Sequence, residues 1–586
     1  MSGRREVLLA AGGSLLLALV MTWPLVLNLG DAIPRDLGDP LAQSWKVAWA
    51  GHALISQPLD YFQANQFYPE RDSFAFGDML IGYAPFGLFT DGSRDAVTRY
   101  DLVFIFAYAM AFFGAYVLAR ELGVGPAGAA VAGAAFAFAP LRLEHDGHMQ
   151  VISTGGIPLA LGLAVRGVRL RRPWVLLGAW AVAAWQVSIG FALGLPFAYA
   201  LAGGIAIAAL VWWRRGRPPV ERGMLVAGAA GALLFTVVTA LIAAPHIRIA
   251  DRHPEAIRTP EVVESFSEGP RALTVASPEN AVWGPLTEGA REDLVNIAEK
   301  ALFPGLLILA LAAIGLGSSV LPRWLRLSLA AAAVGFAILS FGFRVDDGLL
   351  WPYRWLYELL PGWEGIRTPG RLFTFTTLAL ALLAAAGAES LLAALRRRLG
   401  EEPPPEREAS PESAAGSRAG PGRAAVLTAV LAAALALAVV VEGRGLPFDP
   451  FDDQPQPALV HPAVSTADVP DPQLHLPAGR DKDNRRYVLW STDGYPRIVN
   501  GRASTTPEET IELIGRIKPF PSPASVAELR ALGVRSVVLH TNRLGGTPWD
   551  DSAAVPVEGL GLRRSERPGL VIFELEPAPL AAGEDG

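Results

Sequence analysis

The 586-residue sequence contains no cysteine. That excludes disulfides, zinc–thiolate and iron–sulfur sites, and a cysteine nucleophile. Charge is scarce too. Asp, Glu, Lys and Arg make up 18% of the residues, and the lysines are Lys46, Lys300, Lys482 and Lys518 alone. Hydrophobic residues reach 51%. This composition rules out a disordered chain, a collagen-like repeat and an ordinary cytosolic enzyme. No Walker motif, no His-Glu-x-x-His and no internal repeat is visible, so ATP-driven transport has no support. The net charge of −6 is carried by loops and the tail. It leaves no nucleic-acid footprint, and no nucleic-acid partner is expected.

Apolar runs are what the chain has instead. A membrane span needs about 20 mostly apolar residues. Eleven such runs are read near 7–29, 101–120, 125–141, 150–166, 173–190, 192–213, 223–244, 301–321, 326–343, 371–395 and 424–442. The first follows Arg4-Arg5, exceeds a signal-peptide core and ends in Trp23-Pro24, so it reads as a signal anchor. Alternation then puts Arg166/Arg169/Arg171/Arg172, Arg214/Arg215/Arg217/Arg222, Arg323/Arg326 and Arg396/Arg397/Arg398 on one side. Compact basic loops mark the cytoplasmic side. A multi-pass plasma-membrane protein with a cytoplasmic N-terminus follows.

The outer side receives the loops 30–100, 142–149, 245–300 and 344–370, and everything from Gly443 onward. The expected organisation is a transmembrane module over 1–400 and a flexible cytoplasmic linker over 401–423, rich in Pro, Glu, Ser, Ala and Gly. A last transmembrane helix over 424–442 and a small extracytoplasmic α/β domain over 443–586 complete it. In that domain Tyr487–Trp490, Val534–His540 and Leu570–Leu575 read as strands, and Glu508–Ile517 and Ala524–Leu532 as helices. Ser491, Asp493 and His540 lack a Gly-x-Ser-x-Gly elbow, so turn and strand-end roles suit them better than a hydrolase triad.

Chemistry can sit in three outer clusters. The first is Gly38-Asp39-Pro40, followed by Trp45-Lys46-Val47-Ala48-Trp49. Asp before Pro is either a helix cap or a carboxylate aimed into an outward cavity, as general base or metal ligand. Further along this loop, 74–89 reads as an interfacial or re-entrant helix. The second cluster is Arg142-Leu143-Glu144-His145-Asp146-Gly147-His148 between two spans. It is either a solvated turn or the mouth of a pathway. Asp39, Asp146 and His148 are the candidate ligands for a divalent metal, the one cofactor left open. The third cluster holds Arg354, then Arg367-Thr368-Pro369-Gly370-Arg371 at the start of the tenth span. Two arginines bracketing a helix start suit an anion, phosphate in particular, or else snorkel at the interface. Gly123-x-Gly125-x-x-Gly128 follows a membrane helix, not a strand, and is a chance match to a dinucleotide motif.

Together these features resemble the glycosyltransferase C superfamily (GT-C), in particular bacterial members akin to the protein-mannosyltransferase group. The resemblance rests on Gly38-Asp39-Pro40 with the downstream Trp-Lys-x-x-Trp, Pro69-Glu70, His145-x-x-His148, Arg367–Arg371, Asn500-Gly501 and Leu532–His540. It implies a GT-C-like α-helical polytopic membrane protein of about eleven transmembrane helices. It further implies an inverting hexosyltransferase taking a sugar from a polyprenyl-phosphate donor. The acceptor would be a cell-envelope glycan, lipid or protein, and membrane lipids surround the enzyme. Asp39 matches the essential acid of the first outer loop, with Asp36 close by. Asp146 or Glu144 matches a second acidic site. Asp36, Glu144, His145, His148, Arg354, Arg367 and Arg371 are the expected substrate contacts. A carboxylate can take the acceptor proton, and arginines can steady the departing phosphate. The rival expectations are a lipid-linked-glycan flippase, which needs paired midplane charges, and a non-catalytic scaffold.

Overall fold

A computed structural model describes residues 3–344, 352–399, 423–444 and 460–576. Each of the eleven apolar runs carries a helix: α1 (Arg4–Met21), α3 (Gly92–Glu121), α4 (Pro126–Ala137), α5 (Gly156–Leu170), α6 (Pro173–Ile189), α7 (Phe191–Arg214), α8 (Arg222–Arg252), α9 (Leu306–Gly317), α10 (Arg323–Ser340), α11 (Phe373–Arg398) and α12 (Arg423–Arg444). Between the first two lies α2 (Asp39–Ser56). Among the described residues, eight helical stretches are long and apolar enough to cross a membrane, and α6 and α9 are shorter apolar helices. The chain is a multi-span membrane protein. The expected linker at 401–423 lies outside the described residues, apart from Arg423, which opens α12.

Helix α11 sits in the middle of the bundle. It crosses α9 at two glycines: a Cβ on Gly387 would overlap the Leu311 carbonyl, and one on Gly315 that of Leu383. Small residues let membrane helices approach this closely. Acids, Glu121 buried and the others partly so, tie the helix ends. At the end carrying the arginine loops, Glu121 accepts from Arg166 at 2.6 Å and also pairs with Arg169, and Arg120 donates to Glu6 at 2.6 Å. There Glu389 of α11 also accepts the Gly128 N–H at 3.1 Å, so the dinucleotide-like glycines are a packed helix start. At the opposite end Glu442 of α12 caps α9, accepting the Leu306 and Leu307 N–H groups at 2.7 and 3.0 Å. Four free N–H groups at a helix start make a carboxylate stabilising there.

That opposite end carries α2 and the C-terminal domain. The domain's sheet has the order β1-β2-β4-β3, from β1 (Gln473–Leu476), β2 (Ser536–His540), β3 (Leu562–Arg567) and β4 (Leu570–Leu575). β1 and β2 are parallel and the other pairs antiparallel. Helices α13 (Asp481–Trp490), α14 (Glu508–Arg516) and α15 (Pro523–Leu532) accompany it. Tyr487–Trp490, expected as a strand, forms the last turn of α13. A four-residue apolar run fits either structure, and here the preceding Asp481 and Asp483 supply an acidic first helical turn. The expected helix at 74–89 is broken into short turns at 73–75, 81–83 and 84–87. Gly77, Gly82, Pro85 and a left-handed Leu80 (φ 55°) interrupt it.

The loop between α1 and α3 and the C-terminal domain are hydrogen-bonded together. Phe67 N–H donates to the Asn500 carbonyl at 3.1 Å, Tyr68 N–H to Ile498 at 3.0 Å, and Ile498 N–H back to Asn65 at 2.7 Å. The Asn65 amide also donates to Ser491 Oγ at 3.0 Å, while His540 pairs with His475, so Ser491 and His540 form no triad.

Candidate functional site

A cavity of about 690 Å³ opens where α2, α7, α8, the 361–371 segment and the C-terminal domain meet. Its polar wall holds Asp39, Lys46, Asp78, His148, Arg258, Arg367, Arg371 and Arg502. Helices α7 and α8 add an apolar wall with Phe191, Leu195, Ala243 and Ile247. Only 17% and 22% of the spanning windows of these two helices are buried, so most of their surface is left for lipid.

Asp39 enters the cavity because of how α2 begins. Asp36 Oδ1 accepts the Gly38 N–H at 2.7 Å and fixes the turn, and Asp39 and Pro40 take the first helical positions. Asp36 is thus a turn residue, while Asp39 lines the cavity. Asp39 Oδ2 lies 3.4 Å from His148 Nε2, and Oδ1 lies 3.0 Å from Arg485 Nη2 and 3.7 Å from Arg502 Nη2. Burial works to raise the Asp39 pKa, but His148, Arg485, Arg502 and Lys46 outweigh it and hold it below the ordinary value. His148 itself is pushed down to about 3, first by burial and then by Arg371 and His145. It is neutral at pH 7, so the permanent charges of Arg485 and Arg502 lead the lowering there.

The cations around the cavity differ in how they are held. Arg371 gives Nε to both Glu299 oxygens at 3.1 Å, and Nη2 also pairs with Glu299. Arg367 stacks over Phe266, 4.9 Å from the ring centre, and pairs with no carboxylate among the described residues. Lys46 is buried, with Asp78 and Asp39 as its nearest opposite charges; burial pulls its pKa down and the two acids partly restore it. Asp78 meanwhile caps α7, accepting the Phe191 N–H at 2.7 Å.

Four of the expected site residues therefore share one cavity: Asp39, His148, Arg367 and Arg371. The others lie elsewhere. Asp146 is buried against Arg444 at 2.9 Å and Arg35 at 3.5 Å, off the cavity lining. Glu144 accepts from Ser277 Oγ. His145 bonds Leu141 and Glu299. Arg354 makes an exposed pair with Glu358 at 2.7 Å. Asp39, Asp146 and His148 accordingly do not converge as a three-ligand metal set. Among the described residues, the side chains that do converge are His253, Glu255 and Glu509, with ligand atoms within 4.8 Å of one another. Nε2 of His253 is also 3.3 Å from Glu70. Arg485, Arg502, Arg258 and Glu299 were not expected from the sequence.

No protein-family model matches the sequence, and no curated protein matches it. Two solved structures resemble the fold over nearly the whole of this chain. One is the arabinofuranosyltransferase AftD from Mycobacteria, with 17% identity, a TM-score of 0.43 and coverage of 98% of this chain. This chain spans 42% of the length of AftD. The other is ArnT from Cupriavidus metallidurans bound to undecaprenyl phosphate, with 13% identity, a TM-score of 0.39 and coverage of 98% of both chains.

Proposed function

We propose that this protein is a membrane glycosyltransferase that moves a sugar from a polyprenyl-phosphate donor to a hydroxyl acceptor. One observation carries the reading: a carboxylate, Asp39, shares its cavity with the cations Lys46, Arg367 and Arg371 and with an apolar wall on lipid-facing helices. A hydroxyl acceptor, a lipid phosphate and a lipid tail ask for those three surfaces.

In the proposed reaction the acceptor oxygen bonds to the sugar's anomeric carbon as the bond from that carbon to the phosphate oxygen breaks. The electron pair stays on the phosphate. The hydroxyl proton passes to Asp39. A phosphate needs no acid to leave, so one base and a cationic clamp suffice, unlike the two carboxylates of a glycosidase. Attack opposite the leaving group inverts the centre. Lys46 and Arg367 form the clamp together with Nη1 of Arg371, since Glu299 occupies that residue's other donors. The hexosyl, mannosyl-like character of the sugar and a cell-envelope acceptor complete the reading. So does its placement: plasma membrane, arginine loops and N-terminus in the cytoplasm, C-terminal domain outside.

The test is Asp39→Asn in the full-length protein. The side chain is about one-third exposed, so the variant should fold as the wild type does. Transfer from a lipid-linked sugar should be abolished. Full turnover by this variant would remove Asp39 as the base.

A further inference from the structure

Glu299 lies in the long outer loop, on the short helix Ile297–Lys300, and faces Arg371 and His145 at once. Arg371 reaches it with Nε at 3.1 Å and with Nη2. Its Oε2 is also 3.0 Å from Nε2 of His145. The other ring nitrogen of His145, Nδ1, is 2.8 Å from the Leu141 carbonyl oxygen. Both ring nitrogens of His145 are therefore held by fixed oxygen partners, which sets the orientation of the ring. One carboxylate is thus shared between the Arg371 guanidinium and the His145 ring. All three side chains are buried, His145 completely.

Such an arrangement is costly unless it fixes something. Buried ions lose hydration and recover it only through good geometry. The geometry here is good. The Glu299 carbonyl lies so close to Gly370 that any Cβ there would overlap it. The loop backbone is thus seated against the residue before Arg371. With Nε and Nη2 taken, Nη1 is the Arg371 donor that makes no hydrogen bond among the described residues. Through His145 the same carboxylate is tied to the turn that carries His148, whose ring centre is 5.6 Å from that of His145.

We infer that Glu299 is a positioning residue for anion binding: it presents Arg371 to the donor phosphate and fixes that cation relative to His148 and Asp39. The inference rests on the phosphate-donor reading above. Glu299 does not touch the substrate and acts through Arg371. Replacing it by Gln keeps the shape and removes the negative charge. What Gln lacks is the charge that holds the guanidinium and the second oxygen that shares its Nε–H.

Farnesyl phosphate, a short polyprenyl phosphate, is the probe, and binding to the detergent-purified full-length protein is the measurement. Glu299→Gln and Arg371→Ala should each weaken binding about tenfold, the worth of a hydrogen bond to a charged group. The double variant should bind no more weakly than Arg371→Ala alone. A purely structural role would give additive losses and overturn the inference. Should Glu299→Gln not fold, Arg371→Lys serves instead. It keeps the charge and loses the fork, and is expected to bind about tenfold more weakly; wild-type affinity would overturn the inference. Lack of binding by the wild type would be a different failure, removing the phosphate reading and this inference with it.

Discussion

Arg485 of the C-terminal domain places Nη2 3.0 Å from Asp39 Oδ1, at the start of α2. Arg502 adds a second cation, and Asp481 lies 2.9 Å from Arg485 and 2.8 Å from Arg502. Two acids and two arginines thus close a ring between the membrane module and the domain above it. The domain contributes directly to the electrostatics of the proposed base. A general base works only when deprotonated, so the acidic limb of the rate profile reports Asp39. The arginines hold its pKa down. Arg485→Gln should raise that pKa and move the acidic limb of kcat/KM to higher pH, with turnover least affected above pH 7. A limb that stays in place means that Asp39 is not the titrating base.

Lys46 should show the opposite balance between stability and function. Its burial disfavours the charge, and no hydrogen bond of its ammonium group relieves it among the described residues. Lys46→Met removes a desolvated cation and keeps the aliphatic stem. The variant should melt no lower than the wild type, while its KM for the lipid donor rises about tenfold. Donor KM values measured alongside thermal melts check both halves. An unchanged KM would remove Lys46 from the phosphate clamp.

Asp146 separates structure from chemistry. It sits between Arg35 and Arg444, linking the turn before α5 to the end of the last span. Burial pushes its pKa up to about 6, against the pull of Arg444 and Arg35, so it is largely ionised at pH 7. Removing one partner of a buried pair typically costs about 3–5 kcal/mol. Asp146→Asn should therefore lower the melting temperature clearly and leave the donor KM alone. The reverse pattern, a wild-type melt with lost turnover, would restore it as the second acidic site that the family resemblance implied.

The spans were legible because a bilayer demands uninterrupted apolar length, and each run became a helix. The cavity was half legible. Asp39, His148, Arg367 and Arg371 each stand at or beside a helix start at one end of the bundle, where a polar residue next to a span has few uses. Arg485 and Arg502 were not legible, because no spacing rule brings a distant domain onto α2. Glu299 was hidden for a similar reason. In sequence it is one loop acid among several, and its meaning comes from the Arg371 fork alone. Asp146 misled because adjacency in sequence to His145 and His148 is not adjacency in space. One turn sends His148 into the cavity and Asp146 into the protein.

The C-terminal domain carries its own acid sensitivity. His475 on β1 and His540 on β2 meet at 3.0 Å, stacked with Tyr487. The Gln473 amide donates to the Thr466 and Val469 carbonyls at 2.9 and 2.8 Å, so its oxygen faces His475 Nε2 at 3.1 Å. His475 therefore donates through Nε2 and accepts through Nδ1 from His540, which requires a neutral ring. Burial pushes its pKa down to about 3. The ordinary value is 6.5, so an unfolded chain takes up a proton that the folded domain refuses. Stability from this group is present above about pH 6.5 and is lost as pH falls toward 3, at about 1.4 kcal/mol per pH unit once the difference is complete. Tyr487 belongs to the same helix as Arg485, so loosening this stack should also loosen the ring at Asp39. Melting curves at pH 7, 6 and 5 should fall less steeply for His475→Gln than for the wild type, whatever their starting points. Parallel slopes would place the acid sensitivity elsewhere in the chain.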